Sequence, residues 1–168
     1  AYRLHVSLHE TAGHASGRMS DRLQGREPAE FLKEYTSALE EARAELFGLR
    51  AIADPKLKKK GLVTNPEIIE QSYRSFITKG GLVQLKSYPK ADRLTQAHAR
   101  ARNLISMYLL KKSGAVEVKE RDSKVFLRVK DIGKMRQGVS ELLGELMRVK
   151  AEGDYDAAKK LFETYGDP

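Results

Sequence analysis

The sequence predicts a mainly α-helical domain that carries one small β-hairpin. Apolar residues recur at helical spacing along most of the chain, and helix start and stop signals separate these segments. Only residues 116–129 show the alternation of apolar and polar side chains that is typical of strands. A chain of 168 residues suits one domain, which we expect to span residues 1–168. The absence of cysteine excludes a disulfide framework and any thiolate metal ligand.

Three helices are predicted in the first half of the chain. The first covers residues 2–15. The second follows Pro28 and covers residues 29–53, where a further proline ends it. The third covers residues 66–79 and has a strong start signal, because Asn65 can cap the helix ahead of a proline in its first turn.

The second half of the chain is predicted to hold a fourth helix, the hairpin and two closing helices. A two-stranded sheet is too small to be stable alone, so we expect the hairpin to pack against the helices. No internal repeat or low-complexity segment interrupts the pattern. The elements cover residues 91–112, 116–118 with 125–129, 132–151 and 155–165.

The net charge of +8 would permit contact with nucleic acid or another anionic surface. The densest basic run, residues 56–60, contains no aromatic residue that could stack on a base. We therefore predict a solvated loop at this run and no nucleic-acid partner. No apolar run approaches the roughly 20 residues of a membrane-spanning helix, so no membrane partner is expected. We expect the protein to be cytoplasmic.

The most informative stretch is His9–His14, with the sequence HETAGH. Two imidazoles and a carboxylate are what a catalytic zinc site needs, as nitrogen ligands and as a base for water. In the common H-E-x-x-H motif the histidines lie four residues apart, roughly 40° around a regular helix. Here the spacing is five residues, so a regular helix would separate the rings by roughly 140°. We predict a π-type bulge in this turn, with Gly13 as the residue that permits it.

Two histidines near a glutamate on a helix also occur as ordinary surface or core residues, and His5 offers an alternative pair with His9. A third ligand would favour a metal site. The candidates are Glu41 and Glu45, which lie on one face of a predicted helix. An exposed acidic cluster beside Arg43 needs no metal, whereas a buried cluster requires a cation or histidines to compensate its charge. The apolar residues around these glutamates favour burial.

Three stretches resemble the dipeptidyl peptidase III family of zinc metallopeptidases. Residues 9–14 are similar to the family's H-E-x-x-G-H signature, residues 40–45 to its E-E-x-R-A-E signature, and residues 96–102 to its Q-A-H-x-x-A-R segment. The resemblance extends over almost the whole chain. It departs at Ala15, where the family usually has glycine, and at Ala42, where some members have cysteine.

The resemblance implies a zinc-dependent exopeptidase that hydrolyses peptide bonds near the N-terminus of oligopeptides. One zinc ion would be held by three ligands, His9, His14 and Glu41. Glu10 would be the general base toward a metal-activated water. His98 would be a catalytic residue that stabilises the transition state, and the alternative is an ordinary half-exposed histidine on a helix.

Further roles follow from the same resemblance. Glu40 and Glu45 would accept hydrogen bonds from the free ring N–H groups of the two ligand histidines and fix their orientation. Arg102 would bind the substrate carboxylate or orient the catalytic histidine. Arg43 is expected to pair with the neighbouring acids, and His5 is expected to serve packing only.

Members of the family are much larger, two-lobed proteins. The resemblance therefore implies that residues 1–168 form the zinc-carrying catalytic lobe of such a peptidase. Its partners would be a peptide substrate and the second lobe of the full-length protein. A reading of a different class stays open, namely a metal-stabilised helical binding module without peptidase activity in this part of the protein.

Overall fold

The computed structural model describes residues 2–81, 96–122 and 124–167. It confirms a mainly α-helical fold with a two-stranded antiparallel hairpin. The helices pack around a central helix, α3 (Thr36–Ala51), which contacts the start of the chain and two long helices of the second half. This central helix carries the acidic candidates, so the fold places them in the middle of the domain.

The first predicted helix has two parts. Helix α1 covers Tyr2–Leu8 as a regular α-helix, and residues His9–Gly13 continue it with π-helical hydrogen bonding. The polar segment that follows contains a short 3-10 turn, Asp21–Leu23, which was not predicted. Leu23 is buried and anchors this turn on the core.

The second predicted helix is interrupted, which corrects the prediction of one helix over residues 29–53. Helix α2 covers Pro28–Leu32, a 3-10 turn covers Lys33–Tyr35, and α3 begins directly afterwards. Lys33 has a φ of 48°, which lies outside the range of a right-handed helix. The chain therefore turns at this lysine before it enters the central helix.

The basic run is a short helix, so the prediction of a loop there is wrong. Helix α4 covers Pro55–Lys59, and its lysines are exposed. Asp54 caps it, because the Asp54 side chain accepts a hydrogen bond from Lys56 N at 2.8 Å. An aspartate followed by proline is a helix start signal, and the charge of the run does not contain this information.

Helix α5 covers Glu67–Ser75 and continues as a π-helical turn, Phe76–Gly81. The predicted start of this helix is confirmed, because Asn65 Oδ1 accepts a hydrogen bond from Glu67 N at 2.9 Å. The helix packs against the second half of the chain, and Tyr73 and Ile77 are buried in that contact.

Helix α6 covers Ala97–Lys112. The side chain of Gln96 caps it by accepting a hydrogen bond from Ala99 N at 2.6 Å. Residues 91–95, where the sequence predicted the start of this helix, lie outside the described residues. The part that is described confirms the prediction, and it places the stretch 96–102 at the first two turns of the helix.

The predicted hairpin is confirmed. Strands β1 (Val116–Arg121) and β2 (Lys124–Val129) pair antiparallel, with Val116 opposite Val129. These two valines are buried against the helices at the base of the hairpin, whereas the residues near its tip are exposed. The hairpin is thus supported by helical packing at one end, as its small size requires.

Both closing helices are confirmed. Helix α7 covers Ile132–Glu152, and helix α8 covers Tyr155–Leu161 and continues as a π-helical turn, Phe162–Gly166. Gly153 ends α7 with a φ of 63°, in the left-handed region that favours glycine. Asp154 then caps α8 by accepting a backbone hydrogen bond at 3.1 Å.

The core is formed by facing sides of α3, α6 and α7, closed by the C-terminal turn. Half of the residues of α3 are buried, and its three glutamates, Glu40, Glu41 and Glu45, are partly exposed. None of the helices in the described part of the chain is long and apolar enough to cross a membrane. The fully buried core residues include Leu39, Ala42, Leu46, Leu49, Leu104, Ile105, Leu142, Leu146 and Phe162.

Candidate metal centre

The turn that carries the two histidines is π-helical, which confirms the prediction from their spacing. His14 N donates a hydrogen bond to His9 O at 3.1 Å, five residues back instead of four. The wider turn brings the two imidazole rings to a centroid separation of 4.8 Å, with their planes 89° apart. The two rings therefore pack edge to face on the same side of the turn, whereas a regular helix would direct them to different sides of the helix.

Gly13 brings this turn into direct contact with α3. A Cβ atom at Gly13 would lie 2.8 Å from Ala44 O and 2.9 Å from Ala44 Cα, which is too close for any side chain. Gly13 is not among the residues with positive φ, so its backbone angles do not require glycine. The close approach of two backbones is the reason for glycine here, and it sets the separation between the histidines and α3.

Three glutamates of α3 face the histidines. His9 Nε2 lies 3.5 Å from Glu41 Oε2, and His9 Nδ1 lies 3.1 Å from Glu45 Oε2. The second contact is short enough for a hydrogen bond, although the ring nitrogen is not aligned with the oxygen. His14 Nδ1 forms a hydrogen bond with Glu40 Oε1 at 3.3 Å. These are the contacts through which Glu40 and Glu45 were expected to orient the rings.

The charges in this cluster support one another. The contact with Glu45 raises the pKa of His9, and burial opposes this effect only in part. Burial alone would raise the pKa of Glu45. The contact with His9 and the charges of His5 and Arg102 outweigh burial, so the pKa of Glu45 is lowered. The Glu45 carboxylate is therefore held in its ionised form beside the ring nitrogen.

Glu40 is held by two cations. Arg43 pairs with Glu40, as predicted, and the arginine side chain is fully buried. Lys150 from α7 places its Nζ 3.1 Å from Glu40 Oε2. Burial acts to raise the pKa of Glu40, but the two cations lower it overall. The sequence analysis missed Lys150, because it lies 110 residues away in the chain and no local pattern connects it to the site.

Glu10 lies beside the first histidine and extends toward solvent. Its Oε1 is 4.0 Å from His9 Nε2, and 64% of its side chain is exposed. The side chain of Glu41 is only 18% exposed. An exposed carboxylate next to the cluster can reach a substrate and exchange protons with it, whereas a buried carboxylate with fixed position is suited to coordination.

The structure brings His98 into the same cluster. His98 Nε2 lies 3.1 Å from Glu41 Oε2, and the side-chain amide of Gln96 forms a hydrogen bond with His98 Nδ1 at 3.1 Å. About half of the His98 side chain, 48%, is exposed. Arg102 lies about one turn further along α6 and lines the same cavity. All three stretches identified in the sequence therefore meet at one place.

A cavity of about 170 Å³ opens at this meeting point. A second cavity of about 340 Å³ lies beside it and shares part of its wall. The first cavity exposes His9 and His98 to molecules from the solvent side. Its walls include His9, Glu10, Glu45, His98 and Arg102.

The donors of the cluster fit a divalent metal. One ligand atom from each of His9, Glu10 and His14 lies within 4.8 Å of the other two. Glu41 offers another oxygen, because its Oε2 is buried and has no hydrogen-bond partner among the described residues. Two ligands of a tetrahedral zinc ion lie about 3.3 Å apart. The 3.5 Å between His9 Nε2 and Glu41 Oε2 is close to this value.

A comparison with family models identifies the chain. The model of peptidase family M49 matches residues 20–168. The chain belongs to peptidase family M49. The matched region contains the glutamates of α3 and the start of α6, and it begins after the turn that carries the two histidines.

Two relatives of this M49 chain, each matching 98% of it, cover that turn as well. The curated protein named dipeptidyl peptidase 3 from Dictyostelium discoideum is 27% identical over 98% of this chain and 30% of its own length. The solved structure of DPP III from Caldithrix abyssi is 30% identical with a TM-score of 0.74, over 98% of this chain and 29% of its own. Nudix hydrolase 3 from Arabidopsis thaliana is 31% identical over 80% of this chain and 16% of its own length. The chain thus spans less than a third of each relative.

Proposed function

We propose that this M49 chain is the zinc-binding catalytic lobe of a dipeptidyl peptidase, with His9, His14 and Glu41 as the metal ligands. The observation that carries the proposal is the contact between the π-helical turn and α3. There, His9 Nε2 lies 3.5 Å from a buried Glu41 oxygen that has no hydrogen-bond partner among the residues that the structure describes. Nitrogen and carboxylate oxygen at this separation are the donor set and spacing of a tetrahedral zinc site.

Glu41 fits the third ligand position better than Glu10 does. Both carboxylates lie near His9 Nε2, but the Glu10 side chain is 64% exposed and the Glu41 side chain 18% exposed. Metal coordination by Glu41 would compensate the negative charge of a largely buried carboxylate. The Glu10 carboxylate is solvated by water and needs no such compensation. This leaves Glu10 available as the general base.

The residues around the ligands have distinct tasks in peptide hydrolysis. A bound zinc ion would supply a Lewis acid that lowers the pKa of water and polarises the substrate carbonyl. Glu10 takes a proton from the attacking water and passes a proton to the leaving amine. Glu40 and Glu45 accept the second ring N–H of each ligand histidine, which fixes its tautomer and orientation.

His98 and Arg102 act on the substrate side of the cavity. His98 donates a hydrogen bond to the oxygen on which negative charge develops, and Arg102 binds a substrate carboxylate. The contact between His98 Nε2 and Glu41 provides a way to test this assignment. A His98→Ala variant should lose kcat and keep zinc, whereas loss of zinc would place His98 with the ligand carboxylate instead.

Peptide recognition involves more of the protein than this chain. The chain spans 30% of the Dictyostelium relative and 29% of the Caldithrix chain. We propose that a second lobe closes over the cavity and binds the N-terminus of the peptide. The chain described here then supplies the metal ligands, the general base and part of the substrate contacts.

The proposal is tested by comparing two glutamate variants in the intact protein. Isothermal titration of the metal-stripped protein should show one tight zinc site. Glu10→Gln should keep zinc and lower kcat on a dipeptidyl arylamide by on the order of 10²-fold or more, because an amide of the same shape cannot transfer the proton. Glu41→Gln should lose zinc first, and activity only as a consequence.

Three outcomes would contradict these assignments. Zinc binding at parental affinity in His9→Ala or Glu41→Ala would remove those residues from the ligand set. Full activity in Glu10→Gln would remove the general base. A zinc-loaded, intact protein without activity on any dipeptidyl arylamide would favour the metal-stabilised binding module over the peptidase.

A further inference from the structure

Arg43 has no task in the proposed chemistry, yet it is the largest fully buried side chain in the described part of the molecule. A buried guanidinium is stable only when its N–H groups are paired. Arg43 Nη1 donates to Gly13 O at 2.7 Å and to Ser16 Oγ, and Nη2 donates to His14 O at 3.2 Å. The arginine therefore holds the backbone on both sides of the second histidine.

The acceptors of Arg43 lie where the first helix ends. The π-helical turn stops at Gly13, and the carbonyl groups at the end of a helix lack partners within the helix. Ser16 supplies two donors to Gly13 O, and Arg43 adds a third from α3 and a donor to His14 O, in the way that a C-terminal cap would. Because one planar group contacts Gly13 and His14 together, it fixes the direction in which the chain leaves the turn.

The other side of the guanidinium reaches the ring of the same histidine through a carboxylate. Arg43 Nε lies 3.3 Å from Glu40 Oε2, and Arg43 Nη2 also donates to Glu40 Oε1. Glu40 Oε1 in turn forms the hydrogen bond with His14 Nδ1 at 3.3 Å. Arg43 thus contacts the backbone of His14 directly and its ring through Glu40.

Lys150 supports the same carboxylate from a different helix. Its Nζ lies 3.1 Å from Glu40 Oε2 and 3.4 Å from Ser16 O. The Lys150 side chain is 12% exposed, so it is largely removed from water. The lysine therefore connects α7 to Glu40 and to the segment that follows the histidine turn.

We infer that Arg43 and Lys150 are positioning residues for the second histidine of the metal centre. Arg43 fixes the His14 backbone, and the two cations hold Glu40 against the His14 ring. The inference rests on the proposed zinc site. If the inference holds, metal affinity depends on two cations that contact neither the metal nor the substrate. A histidine whose ring is not held in place must lose conformational freedom when it binds the metal, and this loss lowers the affinity.

The first test compares two buried arginines. Arg43→Lys keeps the charge and removes the fork that contacts several acceptors. Arg100→Lys is the matched control, because Arg100 is 6% exposed and its guanidinium pairs with Asp167 at 2.9 Å, near the C-terminal end of the chain. In the intact protein, zinc affinity measured by chelator competition should fall about 10- to 100-fold in Arg43→Lys and stay at the parental value in Arg100→Lys. The visible spectrum of the cobalt-substituted protein should change in Arg43→Lys alone.

The second test uses the lysine and keeps the inference open to refutation if Arg43→Lys does not fold. Lys150→Met should weaken zinc binding, and Lys150→Arg should restore part of it. Lys159→Met is the control, because Lys159 is half-exposed and pairs with Glu163 at 3.9 Å. Parental zinc affinity in either Arg43→Lys or Lys150→Met overturns the inference for that residue.

The remaining outcomes separate this inference from the proposed function. Equal loss of zinc affinity in Arg43→Lys and Arg100→Lys would show a general loss of stability and overturn the positioning role. A parent protein that binds no zinc would overturn the proposed function, and the inference with it. If the parent protein binds zinc tightly and both Arg43→Lys and Lys150→Met bind it with the same affinity, the inference is overturned and the proposed function stands.

Discussion

Replacement of Gly13 by alanine tests the contact on which the metal centre depends. The added Cβ would lie 2.8 Å from Ala44 O, 2.9 Å from Ala44 Cα and 3.0 Å from Ala44 Cβ. None of these atoms belongs to a side chain that can rotate away, so the turn and α3 must move apart. Overpacking of this kind costs about 1–3 kcal/mol of folding free energy.

The same movement should reach the proposed metal ligands. His9 belongs to the turn and Glu41 to α3, so their 3.5 Å separation increases when the two backbones move apart. The pair already lies slightly beyond the roughly 3.3 Å between two ligands of one tetrahedral zinc ion, and a further shift of a few tenths of an ångström moves it away from that spacing. We expect zinc affinity to fall about tenfold or more, in the range of other disturbances around a metal site.

Gly144→Ala is the control for this experiment. Gly144 lies inside α7, and a Cβ there would have no atom within 4 Å. Its replacement should stabilise the protein by up to about 1 kcal/mol through helix propensity and leave zinc binding unchanged. Urea denaturation and chelator competition measure both quantities. A Gly13→Ala protein with parental stability and parental zinc affinity would refute the argument from backbone contact.

Two further predictions concern pH. Burial raises the pKa of Tyr73 from 10.0 to about 12, so its contribution to stability is present below pH 10 and is lost as the pH rises toward 12. Tyr73→Phe should remove roughly 2–3 kcal/mol of this alkaline loss, whereas Tyr2→Phe, at an exposed site, should leave it unchanged. The backbone N–H of Ala157 and the side chain of Arg148 lower the pKa of Asp154 below its usual value of 3.8. The contribution of Asp154 to folding stability is therefore present above pH 3.8 and is lost as the pH falls through the lower pKa of the folded state. Asp154→Asn should therefore flatten the acid side of the stability curve, which denaturation at a series of pH values measures.

The sequence contained enough information to predict the histidine turn. Two imidazole rings five residues apart can meet only if the helix widens, and His14 N does donate a hydrogen bond to His9 O. Helix starts were equally predictable where a cap residue marks them, as at Asn65 and Asp154. In these cases the determining interaction lies within a few residues, so a local pattern records it.

The break before α3 could not be predicted in the same way. Leu32, Tyr35 and Leu39 have the spacing of one continuous helix, and no glycine or proline marks the turn at Lys33. The structure stacks the Tyr35 ring on Phe162 at a centroid distance of 5.6 Å. Contact with the far end of the chain accompanies the break, and the sequence around residue 33 does not contain that information.

The candidate site shows the same division. The contacts of His9 and His14 with the glutamates of α3 follow from two motifs, and resemblance placed both of them. The direct contact of His98 with Glu41 and the contribution of Lys150 depend on how α6 and α7 pack on α3. These depend on tertiary structure, because the residues involved carry no spacing relation to one another.

Charge balance relates this packing to metal binding. Glu40 faces two cations, and Glu45 faces His9. Glu41 faces only the imidazoles of His9 and His98, and its buried Oε2 has no hydrogen-bond partner in the described part of the chain. An ionised carboxylate removed from water without full compensation costs folding free energy. A divalent cation between Glu41 and the histidines would supply that compensation, so the free energy of metal binding at this position would add directly to the stability of the fold.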